Sequence, residues 1–161
     1  MQKIRLGEAE ICYDPEKINI SKIEKIIISN GFELITDKEK ILVEQIKLAV
    51  IELIHYYNNA NSLIRNSDYL IEKLGYTYQY LSSVFSRHEN ITLEKYIILQ
   101  KIEKVKELLE FDNYTLSEIS FLMGYSSLQY LSNQFKQITG ASVTDYKKNK
   151  NIERKPLNDI Y

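Results

Sequence analysis

Leu74-Gly75-Tyr76-Thr77, followed by Tyr80-Leu81-Ser82 and Phe85, returns about fifty residues later as Met123-Gly124-Tyr125-Ser126, followed by Tyr130-Leu131-Ser132 and Phe135. Each copy combines a short helix, a glycine able to take positive φ, a Thr or Ser suited to helix capping, and a helix with one apolar side. That is helix-turn-helix grammar. Its chemistry is recognition: the second helix buries one side and leaves its other side, with its N-terminal end, free to enter a major groove. Between the copies lies a helical stretch of about 18 residues, which at 1.5 Å per residue spans ~27 Å. Two recognition helices one DNA turn apart need ~34 Å, so this rod with short elbows suits successive grooves on one face of a duplex.

Other chemistries have little to stand on. No nucleophile motif, phosphate loop or dinucleotide fingerprint is present, so no enzyme is expected. His55 and His88 lie far apart without a ligand partner at i+4, which predicts structural or surface roles and no metal or other cofactor. The lone cysteine, Cys12, excludes an intramolecular disulfide and reads as a small apolar strand residue. With 161 residues and 44% apolar content the chain can build one core, and no run of about 18 apolar residues is present for a membrane span. A cytoplasmic protein is expected. The formal charge of −1 does not by itself announce a nucleic-acid partner.

The elements that must position the repeat follow from the apolar period. Alternation from Lys3 to Tyr13 suggests a short strand, and Ser21-Lys22-Ile23-Glu24 reads as a capping box opening a helix that Asn30-Gly31 stops. Phe32-Glu33-Leu34-Ile35 reads as a second strand, making residues 1–36 a small β-α-β unit. Ile41, Ile46, Val50, Leu53 and Ile54 mark a long helix from about Lys38 to Tyr57. Short helices are expected over Ser67–Leu74 and Tyr78–His88, and a long one from Thr92 to about Glu110 with Ile98, Ile102, Val105 and Leu109 as its buried stripe. Thr115-Leu116-Ser117-Glu118 is a second capping box, opening a helix to Met123; helices over Ser127–Thr139 and about Ser142–Lys148 complete the series. Tyr76, Tyr80, Phe85, Tyr125, Tyr130 and Phe135 are expected in the core.

The residues of about 47 to 148 resemble the AraC/XylS family of transcriptional regulators. The matching runs are Tyr80 to Phe85, Lys101-Ile102 to Leu108-Leu109, Thr115 to Ser120, Gly124-Tyr125-Ser126, and Phe135-Lys136 to Thr139-Gly140 with Tyr146-Lys147. Lys101 stands where the family usually has arginine, Asn90 where it has glycine, Ser120 where it has alanine and Val143 where it has proline. The resemblance implies a mainly all-α, seven-helix double helix-turn-helix domain over 38–150, with units at about 67–88 and 115–139, ahead of a basic tail at 151–161. It also implies control of transcription, in this family often through contact with RNA polymerase.

Carried over by position, the first recognition helix would present Gln79, Ser82 and Ser83, with Tyr78 at its entrance, and the second Leu128, Gln129, Ser132 and Asn133. Gln and Asn pair bidentately with adenine and Leu128 can meet a thymine methyl, so A·T-rich half-sites of double-stranded DNA are expected. Arg87 and Lys136, near the helix ends, are placed for phosphate. Lys136, Lys147, Lys148, Lys150, Arg154 and Lys155 make the second unit and tail locally basic, whereas the first unit is barely so.

Residues 3–36 resemble, more briefly, the second half of a heavy-metal-associated, ferredoxin-like domain whose paired-cysteine loop is missing. Such a half-domain would pack on the first long helix or on a second chain, as in a homodimer. The competing reading of the whole is a protein-interaction or metal-responsive adaptor whose helical domain no longer reads DNA, favoured by the near-neutral charge.

Overall fold

The computed structural model describes residues 3–5, 8–10, 12–32, 37–56, 65–111, 113–148 and 156–157. Helices start where a short polar side chain can accept the orphan N–H groups of a first turn. Asn19 Oδ1 accepts from Lys22 N for α1 (Ile20–Ser29), and Asp37 Oδ1 from Glu39 N and Lys40 N for α2 (Lys38–Ile51). Thr77 and Thr92 do the same for α4 (Tyr78–His88) and α5 (Leu93–Glu110), and Ser127 for α7 (Leu128–Thr139). The Thr115/Glu118 capping box forms as its spacing predicts and opens α6 (Leu116–Leu122). Short helices α3 (Asn66–Leu74) and α8 (Val143–Lys148) complete the set.

The β-α-β reading of the N-terminus is overturned. Residues Lys3–Arg5 (β1) and Glu8–Glu10 (β2) form an antiparallel hairpin with Lys3 opposite Glu10, where a single strand was expected. Alternation alone cannot tell one strand from two joined at a tight turn. Cys12 lies outside either strand and is exposed. Phe32 is exposed and not in a strand, and residues 33–36 of the expected second strand lie outside the described residues. Helix α1 also begins at Ile20, because Asn19 caps two residues before the expected Ser21 box.

One apolar cluster runs from α2 to α8 and joins both repeats. Ile46 and Val50 of α2, Leu70 of α3, Leu81, Val84 and Phe85 of α4, Ile102 and Val105 of α5, Ile119 of α6 and Leu131 and Phe135 of α7 are all fully buried. Ile41 faces outward, its place taken by Leu42 and Val43. The long first helix differs from expectation at its end, where Glu52–Tyr56 widen into a π-helical turn. Leu53 and Ile54 stay buried there, and His55 reaches Gln100 of α5, its Nε2 3.0 Å from Oε1. Gln100 Nε2 donates to Tyr96 Oη and to the Leu157 carbonyl, each at 2.9 Å. Since a carbonyl only accepts, the amide is oriented with Oε1 toward His55, whose Nε2 carries the proton.

Candidate nucleic-acid interface

In the first unit, α3 ends at Gly75 with φ of 75°, a left-handed turn residue that lets Thr77 reverse the chain into α4. Leu81, Val84 and Phe85 fill one side of α4, and Gln79, Ser83 and Arg87, spaced four apart, form an exposed stripe on the other. Ser82 and Tyr78 are half-buried. Tyr78 Oη donates to Glu94 at 3.0 Å, and burial together with that carboxylate pushes its ionisation above the usual tyrosine range, so it stays a neutral hydroxyl. Arg87 does not stand free: its Nη1 donates to both carboxylate oxygens of Glu39, at 2.9 and 3.0 Å.

The second unit repeats this with one residue added. Gly124 (φ 67°) makes the turn, but the cap is Ser127, three residues on, where Thr77 is two residues after Gly75. Ser126, expected as the cap, lies in the turn. Leu128, Gln129 and Asn133 are exposed on α7, Ser132 is half-buried, and Gln129 Nε2 donates to Asn133 Oδ1 at 2.9 Å, joining the two amides into one polar surface. Lys136 is exposed on the next turn. Beneath them, Lys101 of α5 donates to the Met123 carbonyl at 3.0 Å and lies 5.6 Å from the Tyr125 ring centroid. Burial lowers the Lys101 pKa. Tyr125 Oη in turn donates to Gln134 Oε1 at 2.7 Å.

The structure thus gathers the expected side chains onto the outer faces of α4 and α7, save that Tyr78 and Arg87 are engaged by carboxylates. It also corrects the tyrosines. Phe85 and Phe135 are core residues as expected, but Tyr76, Tyr80 and Tyr130 are exposed and Tyr125 is half-buried. They meet in tilted pairs, Tyr76 with Tyr80 (centroids 5.2 Å apart) and Tyr125 with Tyr130 (5.9 Å), beside the start of α4 and α7. A wheel drawn on Leu81, Val84 and Phe85 puts Tyr80 about 100° off the buried line, a signal that was available. Among the described residues there is no metal-binding cluster of His, Cys, Asp or Glu, and no helix is long and apolar enough to cross a membrane.

Residues 70–149 match the profile of a family described as "Helix-turn-helix domain". The matched residues run from α3 to the end of α8 and so take in both units. The chain is 29% identical over 99 residues to the xylose operon regulatory protein of Escherichia coli (strain K12), a match covering 62% of this chain and 25% of that protein. The Msm operon regulatory protein of Streptococcus mutans serotype c (strain ATCC 700610 / UA159) is 27% identical over 132 residues, 82% of this chain and 45% of that protein. The F1 operon positive regulatory protein of Yersinia pestis is 28% identical over 102 residues, 63% of this chain and 34% of that protein. The chain therefore spans a quarter to under half of the length of these relatives. They support the AraC/XylS resemblance of the helical part, and nothing in them supports the heavy-metal-associated resemblance of residues 3–36.

Proposed function

We propose that the chain recognises an operator by seating α4 and α7 in successive major grooves and from there activates or represses an operon. The observation that carries this reading is the recurrence of an exposed glutamine, Gln79 and Gln129, at the second position of both recognition helices. An amide at that place reaches base edges and pairs bidentately with adenine, and Leu128 beside it suits a thymine methyl, which together select A·T-rich half-sites. Ser82, Ser83, Ser132 and Asn133 line the same faces, Tyr78 stands at the entrance of the first, and Arg87 and Lys136 meet phosphate. The 18-residue α5 is the spacer between the two units. Contact with RNA polymerase and pairing of two chains through residues 1–36 complete the proposal; a relative named as a positive regulator supports activation.

Fluorescence anisotropy on A·T-rich duplexes at low and moderate salt, with Gln79→Ala and Gln129→Ala alongside, tests it. Each variant should lose about 1–3 kcal/mol of binding on a matched site and little on an unrelated one. Equally weak, salt-sensitive binding by all three proteins would remove the paired-helix mechanism and leave the adaptor reading.

A further inference from the structure

Arg87 lies one turn beyond Ser83 and two beyond Gln79, so it continues the outward stripe of the first recognition helix. Its guanidinium is nevertheless held from outside the unit. Nη1 contacts both oxygens of Glu39, 48 residues earlier in the chain, and His88 Nε2 lies 2.8 Å from Oε2 of the same carboxylate. Glu39 belongs to the first turn of α2, two residues after the capping Asp37, and both carboxylates lie near the C-terminal end of α4. The His88 hydrogen bond, aided by the Arg87 charge and hydrogen bond, holds the Glu39 carboxyl below its usual range against the opposing effect of burial. The second unit is arranged differently: no carboxylate of the described residues lies within ion-pair distance of Lys136.

A carboxylate and a phosphate compete for one guanidinium, because both offer paired acceptor oxygens in the same geometry. We propose that Glu39 is an intramolecular substitute for a DNA phosphate: it occupies Arg87 in the free protein, so the first unit grips the duplex backbone more weakly than the second. Glu39 thereby sets how much of the affinity is electrostatic. The inference rests on the DNA-binding reading above and adds a residue outside both recognition helices that tunes it.

The test is anisotropy of the full chain across a range of salt, comparing wild type, Glu39→Gln and the double variant Glu39→Gln/Arg87→Gln. Glu39→Gln should bind about threefold to tenfold more tightly near 0.1 M salt, with a slope of log affinity against log salt steeper by about one, as one more phosphate contact requires. The double variant should lose both gains. An exposed ion pair contributes little to stability, so the variants should keep the wild-type helical circular dichroism. Unchanged affinity and slope in Glu39→Gln would overturn the inference, and so would a gain that survives in the double variant, since that would report only the removal of a negative charge near DNA. Absence of duplex binding by the wild type would instead strike the DNA reading itself, and the inference with it.

Discussion

The two helix-turn-helix units share a sequence repeat and one apolar core, but different polar contacts fasten them to the rest of the chain. The first is held from its N-terminal side: α2 packs on α3 and α4, Lys47 of α2 pairs with Glu89 at 2.8 Å, and Glu39 takes Arg87 and His88. The second is packed on its own preceding helix, α5, which meets both α6 and α7. It is held from α5 by Lys101 and from α8 by Tyr146, whose ring meets Phe135 edge-on at 5.4 Å. In the first unit, therefore, the fastening engages the cation beside the recognition surface. In the second it lies beneath the turn and leaves Lys136 outward. The repeat preserves the apolar grammar that makes each unit fold, while the polar fastenings, which the repeat does not specify, separate a unit whose cation is paired with a carboxylate from one whose cation faces outward.

The largest effect expected within this comparison concerns what the units have in common. Phe85→Ala and Phe135→Ala remove equivalent, fully buried rings from one continuous cluster, and each should cost about 3–5 kcal/mol. Denaturant titration should show a single transition in both variants. A two-step curve for Phe135→Ala would break the premise of a shared core and make the units separate folding bodies.

A smaller effect should fall on one unit only. Lys101→Met keeps the bulk of the stem but deletes the hydrogen bond to the Met123 carbonyl and the cation over Tyr125, leaving a carbonyl without its donor; about 1–3 kcal/mol is the ordinary cost. Amide exchange should quicken in α6 and α7 and stay unchanged in α3 and α4. Lys101→Arg should recover most of the protection, because a guanidinium can still donate to that carbonyl. Uniform quickening across both units would show that Lys101 supports α5 itself.

Much of this was legible in the sequence, and the limits have physical causes. Capping chemistry is local, so Thr77, Thr92 and the Thr115/Glu118 box placed three helix starts almost to the residue. The apolar stripes of α4 and α7 were equally local. What escaped reading depends on spatial neighbours. Glu39 and Arg87 are 48 residues apart, and no periodicity announces their contact. The π-helical turn at Glu52–Tyr56 inserts a fraction of a turn into an otherwise helical pattern, too little to disturb apolar spacing. The tyrosines were misplaced because an aromatic ring was equated with burial, although a hydroxyl on an amphipathic body is content at the surface. A period of two continues through both arms of the hairpin, so alternation alone does not separate them.

The smallest predicted effect tests the one point where the repeat itself slips. Ser127→Ala should cost about 1 kcal/mol, the usual loss of a cap, whereas Ser126→Ala should change stability by less than about 0.5 kcal/mol. The contrast matters beyond stability, because the cap fixes where α7 begins. With Ser127 as the cap, Gln129 occupies the second helical position, as Gln79 does in α4. If Ser126→Ala proved the damaging change, the second turn would have the length of the first and α7 would start one residue earlier. Gln129 would then be the third residue of α7, yet it would still stand two residues before the buried Leu131 and six before Phe135, as Gln79 stands before Leu81 and Phe85, so the face it shares with Gln79 is set by the apolar register and not by the cap.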